Sequence, residues 1–329
     1  MCLAILKSKG GDKMSFSTDI KDELARVKVR DMGEMISELA GFMPMCGRIH
    51  FCGNQRYTLS FITEHSPTSR RIFSLLKALY HDHITVEVRK SQQLKRKNIY
   101  HIQLDDYDLS RMFLDDIGFL KNENVFMPND QIHPYLVRRD SLKRAFLRGA
   151  FLGSGTLSNP AKTYHMEFIT RQSGFAQALK ALLASVHLKA NIAKRKEEFV
   201  VYLKEAEMIS DLLSLMGANQ GVLAFEDVRV MKDMRNQVNR LVNCETANLS
   251  KTINASLKQI EDIKLIEETV GLEALPDSLR EIAKNRLLNP SSSLKELGEM
   301  IEPTVGKSGV SHRLKKIQSI ANKIRGENK

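Results

Sequence analysis

Ser308, Ser311, His312, Lys315 and Ser319 share one side of a predicted helix near the end of the chain, with Lys307, Arg313, Lys316 and Lys323 flanking them. Short hydroxyls, an imidazole and cations are the groups that reach base edges and phosphates from a helix lying in a major groove. The opposite side is apolar, since Val310, Leu314, Ile317, Ala321 and Ile324 fall at i, i+4, i+7, i+11 and i+14. Two shorter helices are expected before it, one ending near Leu288 and one from Leu294 to Ile301. Ser278-Leu279-Arg280-Glu281 and Ser293-Leu294-Lys295-Glu296 each fit a capping box, in which a hydroxyl and a carboxylate satisfy first-turn amides. Two short helices followed by a two-faced third make a helix-turn-helix over about 292–325, with Ser293 counted among its DNA-facing residues. Residues 276–329 hold eleven Lys and Arg against six Asp and Glu, so +5 of the chain's net +11 sits there. The bland reading is a small helical bundle whose basic face is merely solvated.

A second pattern lies upstream. Leu39-Ala40-Gly41-Phe42-Met43-Pro44-Met45-Cys46-Gly47 and Leu147-Arg148-Gly149-Ala150-Phe151-Leu152-Gly153-Ser154-Gly155 lie 108 residues apart. Each is an apolar run with an early and a closing glycine. Tyr57–Thr63 and Tyr164–Thr170 match again at an offset of 107, so the register holds and a duplicated unit is expected. Glycine lets backbones approach closely, which places Gly41 and Gly149 at a helix–helix crossing between the halves.

The elements around these motifs follow from periodicity. The first unit reads as helices at 15–30 and 32–43, the latter ended by Pro44 and Gly47, and strands at 48–52 and 57–63. A helix at 69–80, strands at 84–89 and 98–104 joined by a polar loop, and a helix at 108–118 complete it. The second unit repeats the order: helix 141–152, strands 156–157 and 163–170, helix 175–186, strands 189–195 and 199–203, helix 207–216. Residues 222–272 carry almost no breakers and read as one or two long helices. The amide-rich run 239–248 within them is read first as a solvated face, and otherwise as a surface that reaches a phosphate or a partner.

Composition is ordinary for a globular chain of 329 residues, 42% apolar and 27% charged, with no tryptophan. No apolar run approaches the roughly 18 residues needed to cross a bilayer. The four cysteines, Cys2, Cys46, Cys52 and Cys244, form no CxxC pair, which gives zinc little support and fits reduced thiols.

The nonamers and the repeated helix–strand–strand order resemble the LAGLIDADG homing-endonuclease fold in its two-repeat, single-chain form, over about 14–217. In that family the eighth nonamer position carries the acid that holds catalytic metal; here it is Cys46 and Ser154, with Pro44 and Leu152 at the sixth. Phosphodiester hydrolysis by that scheme needs hard oxygen ligands for Mg²⁺. A thiol and a lone hydroxyl do not supply them, so the fold looks kept and the chemistry lost. Glu34 and Glu38 sit at the wrong end of the motif helix to replace them.

With the tail motif Leu294–Met300 and Gly306–Leu314, the chain resembles the bacterial WhiA family over nearly its whole length from Met14. The resemblance implies a DNA-binding regulator tied to cell division, chromosome segregation and, in some lineages, sporulation, with the helix-turn-helix as main reader. The expected fold is α+β: a duplicated αββαββα LAGLIDADG-like domain, a helical linker and an all-α helix-turn-helix domain. Boundaries are expected at 1–13 (a disordered or mis-assigned start), 14–120 and 140–221 for the repeats, 121–139 for the loop between them, 222–272 for the linker and 273–329 for the tail. Double-stranded DNA is the expected partner, with other regulators or RNA polymerase beside it and no membrane, cofactor or metal. The expected location is the cytoplasm, on the nucleoid. A metal-dependent nuclease and a protein-docking platform are the competing readings.

Overall fold

The computed structural model describes residues 15–29, 31–53, 56–81, 83–90, 97–122 and 125–327. The expected irregular start at 1–13 and most of the polar loop after Lys90 lie outside the described residues. Contacts divide the chain into two units, with the boundary between Lys232 and Asp233.

The first unit begins with α1 (Phe16–Leu24), capped by Ser15, whose hydroxyl accepts from the Thr18 amide; the helix stops short of Arg30, its expected end. Then come α2 (Met32–Cys46), β1 (Gly47–Gly53), β2 (Arg56–Thr63), α3 (Ser66–Tyr80), β3 (Ile84–Lys90), β4 (Asn98–Leu104) and α4 (Tyr107–Asp116). After a short hairpin the pattern recurs as α5 (Asp140–Ser154), β7 (Thr156–Leu157), β8 (Met166–Thr170), α6 (Ser173–Ala184), β9 (Asn191–Arg195), β10 (Glu198–Leu203) and α7 (Ala206–Met216). Both sheets are antiparallel with the same strand order, β1-β2-β4-β3 and β7-β8-β10-β9. Alternation buries Leu59, Phe61, Ile102 and Leu104 on one face of the first sheet, and Met166, Phe168, Val201 and Leu203 on one face of the second.

Pro44 and residues 121–139 also depart from expectation. Pro44 does not end the motif helix, which continues to Cys46 with the Gly47 amide bonded to the Met43 carbonyl. Proline removes one hydrogen bond near the helix end, and burial of Leu39, Phe42 and Met43 around it outweighs that loss. Residues 121–139 are not merely a loop: β5 (Leu120–Asn122) pairs antiparallel with β6 (Val125–Pro128), and a 3₁₀ turn follows at Pro134–Val137. The β-forming Val125 and Phe126 carry that signal.

Helices α2 and α5 cross at the two glycines. A Cβ on Gly149 would lie 2.0 Å from the Glu38 carbonyl oxygen, and one on Gly41 would lie 2.2 Å from that of Phe146. Both obstacles are backbone, so neither can turn aside. Gly149→Ala is expected to destabilise the repeat unit by about 3 kcal/mol or more, as overpacking does. Urea denaturation checks this against Gly306→Ala, where a Cβ meets open space and the midpoint should not move.

Beside the crossing, Glu38 is fully buried between two arginines. Arg71, on α3, donates from Nε to Oε1 at 2.7 Å and from Nη2 to Oε2 at 2.9 Å. Arg148, on α5, donates from Nε and Nη2 to Oε2 at 2.9 and 2.7 Å. Their remaining amino groups donate to the Val27 and Met216 carbonyls. One carboxylate thus ties three helices of both repeats together.

A single helix, α8 (Asn219–Thr269), contains most of the predicted linker. Its last turns contribute Ile263 and Ile266 to the core of the second unit. There α9 (Asp277–Leu288), α10 (Leu294–Glu299) and α11 (Lys307–Glu327) enclose Leu279, Ile282, Leu297, Ile301, Val310, Leu314, Ile317 and Ala321. The capping box at Ser293 and Glu296 forms as expected. The one at Ser278 does not, because α9 starts two residues earlier, with Pro276 as a cap that makes no side-chain bond. Arg280 instead pairs with Asp277 and Glu273. Buried Arg286 donates from Nη1 to the Ser292 carbonyl at 2.6 Å, fastening the turn between α9 and α10.

Candidate nucleic-acid interface and the cavity between the repeats

Residues 307–326 of α11 contain no acid. Val310, Leu314, Ile317 and Ala321 turn inward, each at most 4% exposed. Opposite them Ser308, His312, Lys315 and Ser319 form one exposed row, with Lys307, Lys316 and Lys323 exposed beside it and Ser311 half-buried at its edge. The predicted face therefore exists as a surface.

Not every predicted side chain is available on it. Arg313 is half-buried and donates from Nη1 to the Ser278 carbonyl at 3.4 Å, which holds α11 against the start of α9. Arg325 pairs with buried Asp262 at 2.7 Å. Ser293 lends its hydroxyl oxygen to the Glu296 amide at 3.3 Å, so its first role is to cap α10. Lys307, Lys315, Lys316 and Lys323 have no ion pair among the described residues and carry the open charge.

The ends of the motif helices open on a cavity of about 520 Å³ between the repeats, lined by Cys46, Arg48, Ser154, Arg171, Gln172 and Glu198 among others. The Cys46 thiol donates to the Phe42 carbonyl at 3.5 Å, and burial pushes its pKa up to about 12. A thiol is in any case not the hard oxygen ligand that Mg²⁺ takes. The Ser154 hydroxyl accepts from the Ile169 amide at 3.1 Å and donates to Met45 Sδ at 3.0 Å. Glu198 is the single carboxylate in the lining, with Arg48 and Arg171 for company. A divalent cation of the Mg²⁺ type wants several oxygens in octahedral array. These residues do not fit one, and no group of three His, Cys, Asp or Glu among the described residues is placed to hold a metal.

Near Cys46 lies Lys21, its ammonium 5.8 Å from the centre of the Phe151 ring. Burial lowers its pKa from the ordinary 10.5 to about 8. The unfolded chain therefore binds more protons than the folded one between those values, and stability rises with pH across that window. Below it, the full penalty for burying the cation is present. Lys21→Met is expected to raise the urea midpoint of the repeat unit at pH 7 and to lose that advantage by pH 10.5. An advantage that stays constant across the pH series contradicts the burial argument.

Three family models match this chain in succession: the WhiA N-terminal LAGLIDADG-like domain over residues 33–120, the WhiA LAGLIDADG-like domain over 143–235 and the WhiA C-terminal HTH domain over 238–321. The chain belongs to the WhiA family. A probable cell division protein WhiA of Clostridium novyi is 46% identical over 96% of this chain and 100% of the relative. One from Clostridium acetobutylicum is 45% identical over 95% of this chain and 99% of the relative. Among solved structures, full-length DUF199/WhiA from Thermatoga maritima matches with a TM-score of 0.58 and 29% identity, covering 94% of this chain and 98% of that one. The WhiA HTH match begins at 238, so it takes in much of α8 as well as the tail. No helix among the described residues is long and apolar enough to cross a membrane.

Sequence reasoning missed the buried Glu38–Arg71–Arg148 cluster at the core of this WhiA chain. A faint signal was present: Glu38 and Arg148 each fall beside an apolar nonamer residue, on helices otherwise turned inward.

Proposed function

We propose that this protein is a non-catalytic, sequence-specific DNA-binding regulator that acts in bacterial cell division. The acid-free exposed face of α11, with its four unpaired lysines, carries the reading. Ser308, Ser311, His312 and Ser319 are its base-reading residues; Lys307, Lys315 and Lys316 neutralise phosphates. Arg313 and Ser293 position the reading helix and its neighbour. The names of the clostridial relatives support the link to cell division. Control of transcription, a part in chromosome segregation and, in spore-forming lineages, in sporulation belong to the same reading. So do a cytoplasmic, nucleoid-bound location and contacts with other regulators or RNA polymerase.

The competing nuclease reading is tested with supercoiled plasmid and Mg²⁺ or Mn²⁺. No nicking or linearisation above a buffer control is expected, because neither Cys46 nor Ser154 offers an anionic oxygen. Cleavage that a single substitution in the repeats abolishes would reverse this. The main test is a gel shift with genomic fragments: the full chain should retard a subset of them and withstand competitor DNA only on that subset. Equal retardation of all fragments would reduce the tail to a nonspecific cationic surface.

A further inference from the structure

The middle of α8 is bare. Every residue from Asp233 to Ala255 is exposed. Its apolar side chains, Met234, Val238, Val242, Leu249 and Ile253, share one side. The other side repeats a different chemistry. Asn236, Arg240, Asn243, Ala247, Lys251, Asn254 and Lys258 succeed one another at intervals of three or four, which is one stripe on a helix. The stretch 234–260 carries Arg235, Arg240, Lys251 and Lys258 against one acid. That acid, Glu245, falls about half a turn away from the stripe, on the apolar side. Arg240, Lys251 and the three asparagines of the stripe have no side-chain partner among the described residues.

We infer that this stripe is a second DNA-contacting surface, laid in a major groove. The inference rests on the DNA-binding reading of the chain. Charge selects the occupant: the face offers cations and amides and no carboxylate, which suits a polyanion and gives a basic protein surface nothing to pair with. The side chains suit base edges as well as phosphates. Asparagine pairs in bidentate fashion with adenine and arginine with guanine, and Ala247 leaves the centre of the stripe low enough for close approach. An unbroken helix crossing the major groove is an established way to present such residues. From Asn236 to Lys258 the stripe is about 33 Å long at 1.5 Å per residue. The amide run that sequence alone left as a solvated face thereby acquires a role.

The full chain is used, with Arg240→Gln/Lys251→Gln as the first variant and Asn236→Ala/Asn243→Ala as the second. All four positions are exposed and lack partners, so circular dichroism and melting should match the parent. On a fragment that the parent selects, the cation variant is expected to lose at least tenfold in affinity at fixed salt. Its plot of log affinity against log salt should flatten by about two phosphate contacts. The asparagine variant should keep the salt slope and lose discrimination between selected and random fragments. The hydroxyl-radical footprint should shorten in both. A parent that selects no fragment defeats the underlying reading. Two variants indistinguishable from a parent that does bind defeat this inference alone. The same holds if Met234→Ser/Val242→Ser breaks a dimer seen by light scattering while the polar variants bind DNA normally, since the helix is then a protein interface.

Discussion

Replacing Glu38 with alanine is expected to cost the repeat unit about 3–5 kcal/mol, the loss seen when one partner is removed from a buried ion pair. The reason is the company it leaves behind. Arg71 and Arg148 would keep their positive charges in a region where Glu38 is fully buried, with only the Val27 and Met216 carbonyls to answer them. Glu38→Gln separates charge from shape: it retains volume and one acceptor, and should recover part of the loss. Because Arg148 and the carbonyl of Glu38 both lie at the α2–α5 crossing, the damage should spread to both repeats. Urea denaturation followed by hydrogen exchange on the two motif helices reads this. A midpoint unchanged in Glu38→Ala would mean that packing around the glycines holds the crossing by itself.

Charge reversal on the reading helix is the second large effect. Lys315→Glu/Lys316→Glu should abolish selective binding at physiological salt while leaving the fold intact, since both side chains are exposed and unpaired among the described residues. Two phosphate contacts vanish and two repulsions replace them. Each lost contact should lower the steepness of the salt dependence by about 0.9. Anisotropy titrations between 50 and 200 mM salt measure this. Reversing the pair should weaken binding to all fragments alike, whereas His312→Ala should mainly narrow the gap between selected and random DNA. Binding by the double variant equal to the parent's would remove α11 from the interface.

Much of the architecture was legible because apolar spacing dictates it. The repeated helix–strand–strand order and both crossing glycines follow from short-range pattern. So does the inward row of α11, Val310, Leu314, Ile317 and Ala321, which a period of 3.6 places on one stripe. Boundaries resisted where packing overrode a local signal. Pro44 should have stopped α2, and Ser278 should have capped α9; burial around the first and an earlier start at Asp277 set both aside. The charged core could not be read, since Glu38 meets partners 33 and 110 residues away and each partner looks like an ordinary polar residue of its own helix. The candidate interface shows the same division. Which α11 residues face outward was a matter of periodicity. That Arg313 and Arg325 are partly spent, on the Ser278 carbonyl and on Asp262, depends on helices packed against them.

The proposed function turns on the tail, rather than the repeats, reading DNA in a major groove. Site-directed cleavage tests that most directly. With Cys2, Cys52 and Cys244 changed to serine, a copper–phenanthroline group is tethered through Lys323→Cys, exposed beside the reading row, in one protein and through Thr85→Cys, on an exposed strand of the first sheet, in another. Cuts from position 323 are expected to cluster within the selected site, facing its major groove, with none from position 85 above background. Clustered cuts from position 85 with none from 323 would contradict this, and would return the reading of DNA to the repeats.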